Sequence, residues 1–529
     1  MMQETNQSLL SIQVKTHSRM FKSSGNLAIS TLLSRVLGFF REILMAKYVG
    51  GGLWMDAWSL SQMIANLSRR ILGEGELGHA LVPLISNTFK VEGEKRAREK
   101  FSTILFWATG ILSCLVVVVS LIFYLLSGVL TNQIWKITCE ILPIVMPYTI
   151  FICIVGVITC YLNFWKDFFL PSLTAILQNV LLILALFFIC AKLRQMPLLR
   201  ALALSVTLSG VIELVYILAL LAYRRKLPVF SLKVIRDWTT LKQIFKMIAP
   251  GVLAASAFQI GVIADQTAGS LVGESAVSSI YYSNRLYQLP LAIFAISFST
   301  VANTELSIVA AERDYMKFME ILVKTMKVLL FIALPFAAFI ACFSTELLII
   351  FFKRGAFSDY AVQMTSYPLA VYACGLPFFF LYKVMVVSFT ARREMKTPAK
   401  ISLLCIVLNI VLNFSLLPFM RQGGIALATV ISSAVNNLIL LWLFNRDNVE
   451  NPIPWENILK YLFVKLIPIS VIPLIPCRIF LAYVSDRWDI WLCFPILCVM
   501  YGTLFCSFAK ILHVDELEFF LQRLTHYRH

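Results

Sequence analysis

Apolar runs of about twenty residues, the length of a membrane-spanning helix, follow one another along almost this entire chain, and they constrain its fold more than any other feature. A backbone surrounded by lipid must pair its own N–H and C=O groups, which leaves helices or a closed barrel. A barrel would show short segments of alternating polarity. The runs here are unbroken, so the sequence predicts an all-α polytopic membrane protein. Composition agrees. Of 529 residues, 59% are hydrophobic and 14% charged, whereas a soluble chain carries about a quarter charged residues. Mean hydropathy is +0.81.

Fourteen spans are expected, at 25–48, 53–74, 103–128, 141–163, 169–191, 199–222, 246–272, 277–302, 325–346, 364–390, 399–419, 424–445, 458–481 and 489–511. The first two are the least apolar, and span 2 carries Asp56, Arg69 and Arg70. They are retained because the charges of the loops then alternate. Lys90, Lys95, Arg96, Arg98 and Lys100 follow span 2. Arg224, Arg225, Lys226, Lys233 and Arg236 follow span 6, and Arg392, Arg393, Lys396 and Lys400 follow span 10. All three loops fall on one side, which the positive-inside rule makes the cytoplasm, with both termini there. Lys192, Arg194 and Arg200 after span 5 are an exception. The loops also account for most of the net charge of +17. No basic patch interleaved with aromatics lies outside the spans, so no nucleic-acid partner is expected.

The first two dozen residues are polar, with Lys15, Arg19 and Lys22 and no apolar core. They do not read as a cleavable signal peptide, and span 1 is expected to act as the insertion signal. Most of the 12 cysteines sit inside apolar runs without a CxxC pair, as small packing residues. HExxH, GxSxG and Walker A motifs are missing, as is a paired-carboxylate motif in an exposed loop, so no catalytic residue and no enzyme is expected.

A weak internal repeat is visible. The passage KDFFLPSLTAIL around Pro171 is similar to REMKTPAKISLL around Pro398, each with an acid four residues before the proline. The passages 80–101 and 300–319 are similar at nearly the same offset. Each copy holds six spans, and transporters commonly place their substrate path between such repeats. The expected organisation is a cytoplasmic tail at 1–24, an N-lobe at 25–225, a C-lobe at 240–447, an extra helix pair at 455–512 and a second cytoplasmic tail at 513–529.

A charge inside a span costs about 2.5–3.5 kcal/mol on insertion scales and so needs a reason. Span 1 contains Arg35, Arg41 and Glu42; span 2 contains Asp56, Arg69, Arg70 and Glu74; span 7 contains Asp265; span 8 contains Arg285; and span 10 contains Lys383. Ion pairing and snorkelling explain those near an interface. For mid-span Arg35 and Arg285 a water-filled cationic cavity is the stronger reading. Arginine matches phosphate oxygens with a two-pronged fork, so the substrate expected is anionic and phosphate-bearing.

Specific motifs then carry a resemblance. TLLSRVLGFFREILMAKYVGGGLWMDAW at 31–58, followed by NLSRRILGEGELGHALVPLI at 66–85, resembles the N-terminal signature of the MurJ/MviN lipid II flippases. YYSNRLYQLP at 281–290, FKRGAF at 352–357 and KVMVVSFTARREMKTPAK at 383–400 are similar to later landmarks of that family, so the resemblance covers nearly the whole chain. It implies two six-helix lobes plus two added helices, in the superfamily that includes multidrug and oligosaccharide-lipid exporters. It also implies that Ser34, Arg35, Arg41, Ser278 and Arg285 line a cavity holding the pyrophosphate and sugar of lipid II. Asp56 and Glu74 match sensitive acidic positions, Arg70 a basic position beside the portal, and Lys383 a basic position in span 10. The chain departs from the family where Ser283, Asn284 and Gln288 surround Arg285, because some relatives carry acids in place of the two amides.

Some members bind sodium between spans 7, 11 and 12, and the matching positions are Asp265, Asn409, Asn413, Thr429 and the Ile425 carbonyl. Oxygen ligands suit a hard cation, and Na+ is the coupling ion implied; polar contacts between helices are the alternative. The expectation is a lipid II flippase of peptidoglycan biosynthesis, working by alternating access as a multi-pass protein of the bacterial inner membrane. A monomer among membrane lipids is expected, with cell-wall synthesis enzymes as possible associates. The alternatives are an exporter of another polyprenyl-pyrophosphate-linked saccharide and a non-transporting scaffold for cell-wall enzymes.

Overall fold

The computed structural model describes residues 30–69, 76–229, 236–448, 452–484 and 488–518. Every regular element among them is helical. The chain divides into two compact units, Met1–Gln259 and Ile260–His529.

The first unit contains α1 (30–48), α2 (Leu53–Ser68), α3 (Glu76–Leu126), α4 (Gln133–Val145), α5 (Pro147–Phe164), α6 (Phe169–Phe188) and α7 (Gln195–Tyr223), with the first part of α8 (Trp238–Val272). Span 3 was expected at 103–128, but α3 begins far earlier. Its leading segment breaks at Gly93, whose φ of 85° and ψ of 176° suit a residue without a Cβ. Span 4 was expected as one run at 141–163. It is divided, because Pro147 has no N–H to continue the α4 ladder and instead opens α5.

Phe101, Ile158, Tyr161, Ile217 and Leu221 form a buried core between α3, α5 and α7, with the Phe101 and Tyr161 rings stacked 3.8 Å apart. The opposite faces of these helices expose Val117, Leu121 and Leu125 on α3, and Leu204, Leu208 and Val215 on α7. Apolar stripes of this length are costly in water and favoured against acyl chains.

Basic residues at one end of this unit are joined by ion pairs. Arg96 reaches Glu92, Glu99 and Asp237 at 3.4, 3.1 and 3.2 Å, and Arg224 reaches Asp167 at 2.6 Å. Lys226 pairs with Glu94 and stands 3.6 Å over the Trp165 ring. Arg200, an exception to the loop-charge pattern, pairs with Glu140 at 3.1 Å.

The second unit takes α8 onward from Ile260. α9 (Ala276–Pro290) passes through a wide turn at Leu291–Ala295 into α10 (Ile296–Glu312). α11 (Tyr315–Cys342) is capped by Asp314, whose carboxylate accepts from the Lys317 N–H at 3.0 Å. α12 (Ser344–Phe351) and α13 (Asp359–Cys374) follow. α14 (Leu376–Ala391) makes a 45° bend with α13, where Gly375 and Pro377 interrupt the ladder of expected span 10. α15 (Lys396–Met420) and α16 (Gln422–Asp447) pack closely. Pro171 and Pro398, the landmarks of the internal repeat, are each the third residue of a helix, α6 and α15.

Last come α17 (Trp455–Tyr461), α18 (Ile467–Val471), α19 (Leu474–Val484) and α20 (Ile490–Ile511). Cys477, Cys493 and Tyr501 of this group pack on Phe343 beyond α11, and Arg478 pairs with Glu346 at 2.6 Å. All twelve cysteines are free thiols.

Ten helices are long and apolar enough to cross a membrane among the described residues, or eleven if the α13–α14 pair counts as one. Helices also occupy the described parts of expected spans 1, 2 and 7, namely α1, α2 and α8, while 25–29 and 70–74 lie outside the described residues. Arg35, Arg41, Glu42 and Lys47 in α1, and Asp56 in α2, keep these helices polar.

Candidate functional site

Ser34, Arg41 and Glu42 of α1 form one connected group with Asn179 in the first unit. Arg41 donates to Glu42 Oε1 at 2.7 Å and to Asn179 Oδ1 at 3.0 Å. Asn179, on α6, donates through its amide to the Ser34 carbonyl and hydroxyl at 3.1 and 3.3 Å. Glu42 is buried, while the Arg41 side chain keeps 22% of its surface exposed. A carboxylate and an amide oxygen thus fix the guanidinium from one side and leave part of it accessible. Arg35, six residues before Arg41, is exposed, and Asp56 is fully buried in the first turn of α2. Arg70 and Glu74 lie outside the described residues.

In the second unit, Arg285 donates to the Tyr281 hydroxyl at 3.1 Å, and its guanidinium stands 4.7 Å from the Tyr281 ring centre. The two residues are one helical turn apart on α9, so helix geometry alone brings them together. Stacking on an aromatic face orients the guanidinium plane. Ser278 is fully buried, and Lys383 is half-buried in α14. Ser283, one of the departures from the family pattern, donates to the Thr365 carbonyl at 3.1 Å and so joins α9 to α13. Asn284 is half-buried and Gln288 is exposed.

The five residues of the expected cation site converge in the second unit. Asn413 donates to Asp265 Oδ1 at 2.6 Å and to Asn409 Oδ1 at 3.2 Å. The alternative orientation of the Asn409 amide also donates to Asp265, at 3.0 Å. Thr429 accepts from Asn409 at 3.3 Å and donates to the Ile425 carbonyl at 3.1 Å. Asn413 is fully buried, and its Oδ1 accepts no hydrogen bond. As placed, Asp265 is met by an amide N–H rather than by oxygens, so the group forms polar contacts between helices, with the buried Asn413 Oδ1 as its one left-over acceptor among these residues.

The sequence reading did not single out Asn179 or Tyr281. The signal for Asn179 was present, because Gln178 and Asn179 are a polar pair inside an otherwise apolar span. Tyr281 carried no such mark, since a tyrosine in a span is ordinary.

Comparison with known proteins places the chain. The family model described as "Lipid II flippase MurJ" matches residues 45–499. A probable lipid II flippase MurJ of Buchnera aphidicola subsp. Schizaphis graminum is 29% identical over 513 residues, covering 96% of this chain and 98% of the relative. The lipid II flippase MurJ of Burkholderia cenocepacia is 28% identical over 432 residues, covering 80% and 83%. The solved structure of a lipid II flippase MurJ in an inward closed conformation superposes with a TM-score of 0.76. It is 26% identical and covers 92% of this chain and 99% of its own. An inward-facing multidrug transporter of the MATE family shares the fold at a TM-score of 0.65 and 14% identity, over 81% of this chain and 98% of its own. With a match over most of its length, on a wholly helical frame that holds arginines within apolar helices, the chain belongs to the MurJ family of lipid II flippases.

Proposed function

We propose that this protein moves lipid II from the cytoplasmic to the outer leaflet by alternating access, as a transporter and not an enzyme. The observation that carries this reading is the arginine fixed within an apolar unit: Arg41, held by Glu42 and Asn179 with part of its surface accessible. A guanidinium that is positioned and partly accessible matches phosphate oxygens in charge and shape. Arg35 and Arg41 in the first unit, and Arg285 and Lys383 in the second, supply the cationic side chains that a pyrophosphate headgroup requires. Ser34 and Asp56 in the first unit and Ser278 in the second are assigned to substrate binding by resemblance, as are Arg70 and Glu74.

The polyprenyl tail is too long and apolar to accompany the headgroup through a polar path. The α19–α20 pair offers it a lipid-facing surface, exposing Ile475, Ile479, Leu492 and Val499. The protein resides in the bacterial cytoplasmic membrane with both termini on the cytoplasmic side, as the loop charges indicate. It acts as a monomer that can associate with cell-wall synthesis enzymes. An inside-negative potential, worth about 2.3 kcal/mol per elementary charge per 100 mV, drives an anionic headgroup outward. Asp265, Asn409, Asn413, Thr429 and the Ile425 carbonyl would hold Na+, whose bound charge would favour return of the empty carrier.

Complementation tests this reading in cells whose own lipid II flippase can be switched off, with variants compared at matched membrane expression. Wild type should rescue growth, and Arg41→Ala and Arg285→Ala should not. Rescue by both variants would overturn the site assignment. Failure of well-expressed wild type would point to another polyprenyl-pyrophosphate-linked saccharide.

A further inference from the structure

One ionisable side chain of the first unit has no part in the roles above. Glu213 lies mid-way along α7, is fully buried, and neither of its carboxyl oxygens accepts a hydrogen bond. A carboxylate in that position has lost water and gained no donor, which is the least favourable setting for its charge.

The helices packed around α7 set its surroundings. From α5 comes Tyr148, buried, whose hydroxyl accepts from the Gln178 amide of α6. Gly210, one turn before Glu213, permits this approach, because a Cβ there would lie 2.8 Å from the Tyr148 ring. From the end of α2 comes Arg69, whose guanidinium charge acts on Glu213. From α4, Glu140 is exposed and paired with Arg200, more than three turns along α7 from Glu213. From α1, the Arg41 charge reaches Tyr148 but is held by Glu42 and Asn179.

A metal ion does not suit this group. A hard divalent cation such as calcium takes about six to eight oxygens, and Glu213 offers two beside a guanidinium that would repel it. A proton needs one oxygen. We propose that Glu213 is a proton-binding site of the first unit, protonated while Arg69 stays off its oxygens and deprotonated when Arg69 closes on them, the proton being exchanged with water. The site is separate from the Asp265 group and does not depend on the identity of the transported lipid.

Infrared difference spectroscopy of the full-length protein in nanodiscs, titrated with pH, tests this through the C=O stretch of a buried protonated carboxyl. Wild type should show that band at neutral pH, Glu213→Gln should lack it, and Asp265→Asn should retain it. Arg69→Gln should keep the band to higher pH, since the removed positive charge favours the carboxylate. A Glu213→Gln spectrum identical to wild type would overturn the proposal. Should Glu213→Gln not purify as a monodisperse protein, the Arg69→Gln titration decides alone, and a band that titrates as in wild type refutes it.

Discussion

Replacing Asn179 by alanine should release Arg41. The change removes the oxygen that accepts from Arg41 at 3.0 Å and the amide that donates to Ser34 at 3.1 and 3.3 Å. A hydrogen bond to a charged group contributes about 1.5–3 kcal/mol and a neutral one about 1 kcal/mol. Partial exposure of Arg41 and its ion pair with Glu42 reduce the first figure, so the loss should be about 2 kcal/mol. That is roughly a thirtyfold change in the population that presents the guanidinium correctly, at tenfold per 1.4 kcal/mol. Thermal unfolding in detergent and complementation at matched expression measure the two consequences. Asn179→Asp keeps an acceptor for Arg41 but neutralises its charge and turns a carboxylate oxygen toward the Ser34 carbonyl, so it should lower both unfolding temperature and rescue. Wild-type unfolding and full rescue by Asn179→Ala would refute the claim that α6 positions Arg41.

Three further outcomes are expected. Arg285→Lys should reduce lipid II translocation in proteoliposomes at least about tenfold, since an ammonium keeps the charge but lacks the planar fork; Tyr281→Phe, which retains the ring, should cost less. For wild type, unfolding should shift to higher temperature in sodium chloride relative to choline chloride, and Asp265→Asn should abolish that difference because it removes the charge of the oxygen set. Burial works against the Asp237 carboxylate, but hydrogen bonds from Thr239 and Thr240 and the Arg96 guanidinium outweigh it and hold its pKa below the usual range. A depressed folded value stabilises the protein above the unfolded pKa, and this contribution fades as pH falls below about 4. Asp237→Asn should therefore lower unfolding temperature at pH 7 and have little effect at pH 3.

The membrane class, the helical fold and the family were legible in the order of residues. Runs of about twenty apolar residues admit few structures in lipid, and motifs such as 31–58 are long enough to be specific. Individual charges were partly legible. Arg35, Arg41 and Arg285 stand out because charge in an apolar run is costly, and Glu213 carries the same mark. Lys192, Arg194 and Arg200 broke the loop-charge pattern. For Arg200 the structure supplies a reason, since its partner Glu140 lies on a helix sixty residues earlier.

Partners so far apart in the chain are what the sequence does not specify. Helical spacing predicts that Tyr281 meets Arg285, because residues four apart share a face. It does not predict that Asn179 holds Arg41, 138 positions away, and the meeting of Asp265 with Asn413 across 148 positions was implied only by the family resemblance. The sequence by itself determined the membrane class, the helical fold and which side chains are costly in apolar runs. Only the tertiary structure decided which of those side chains are held by donors and acceptors on neighbouring helices, and which, like Glu213, are buried without them. The physical reason is that burial in lipid is a property of each segment alone, whereas the pairing of buried polar groups depends on how helices distant in sequence pack together.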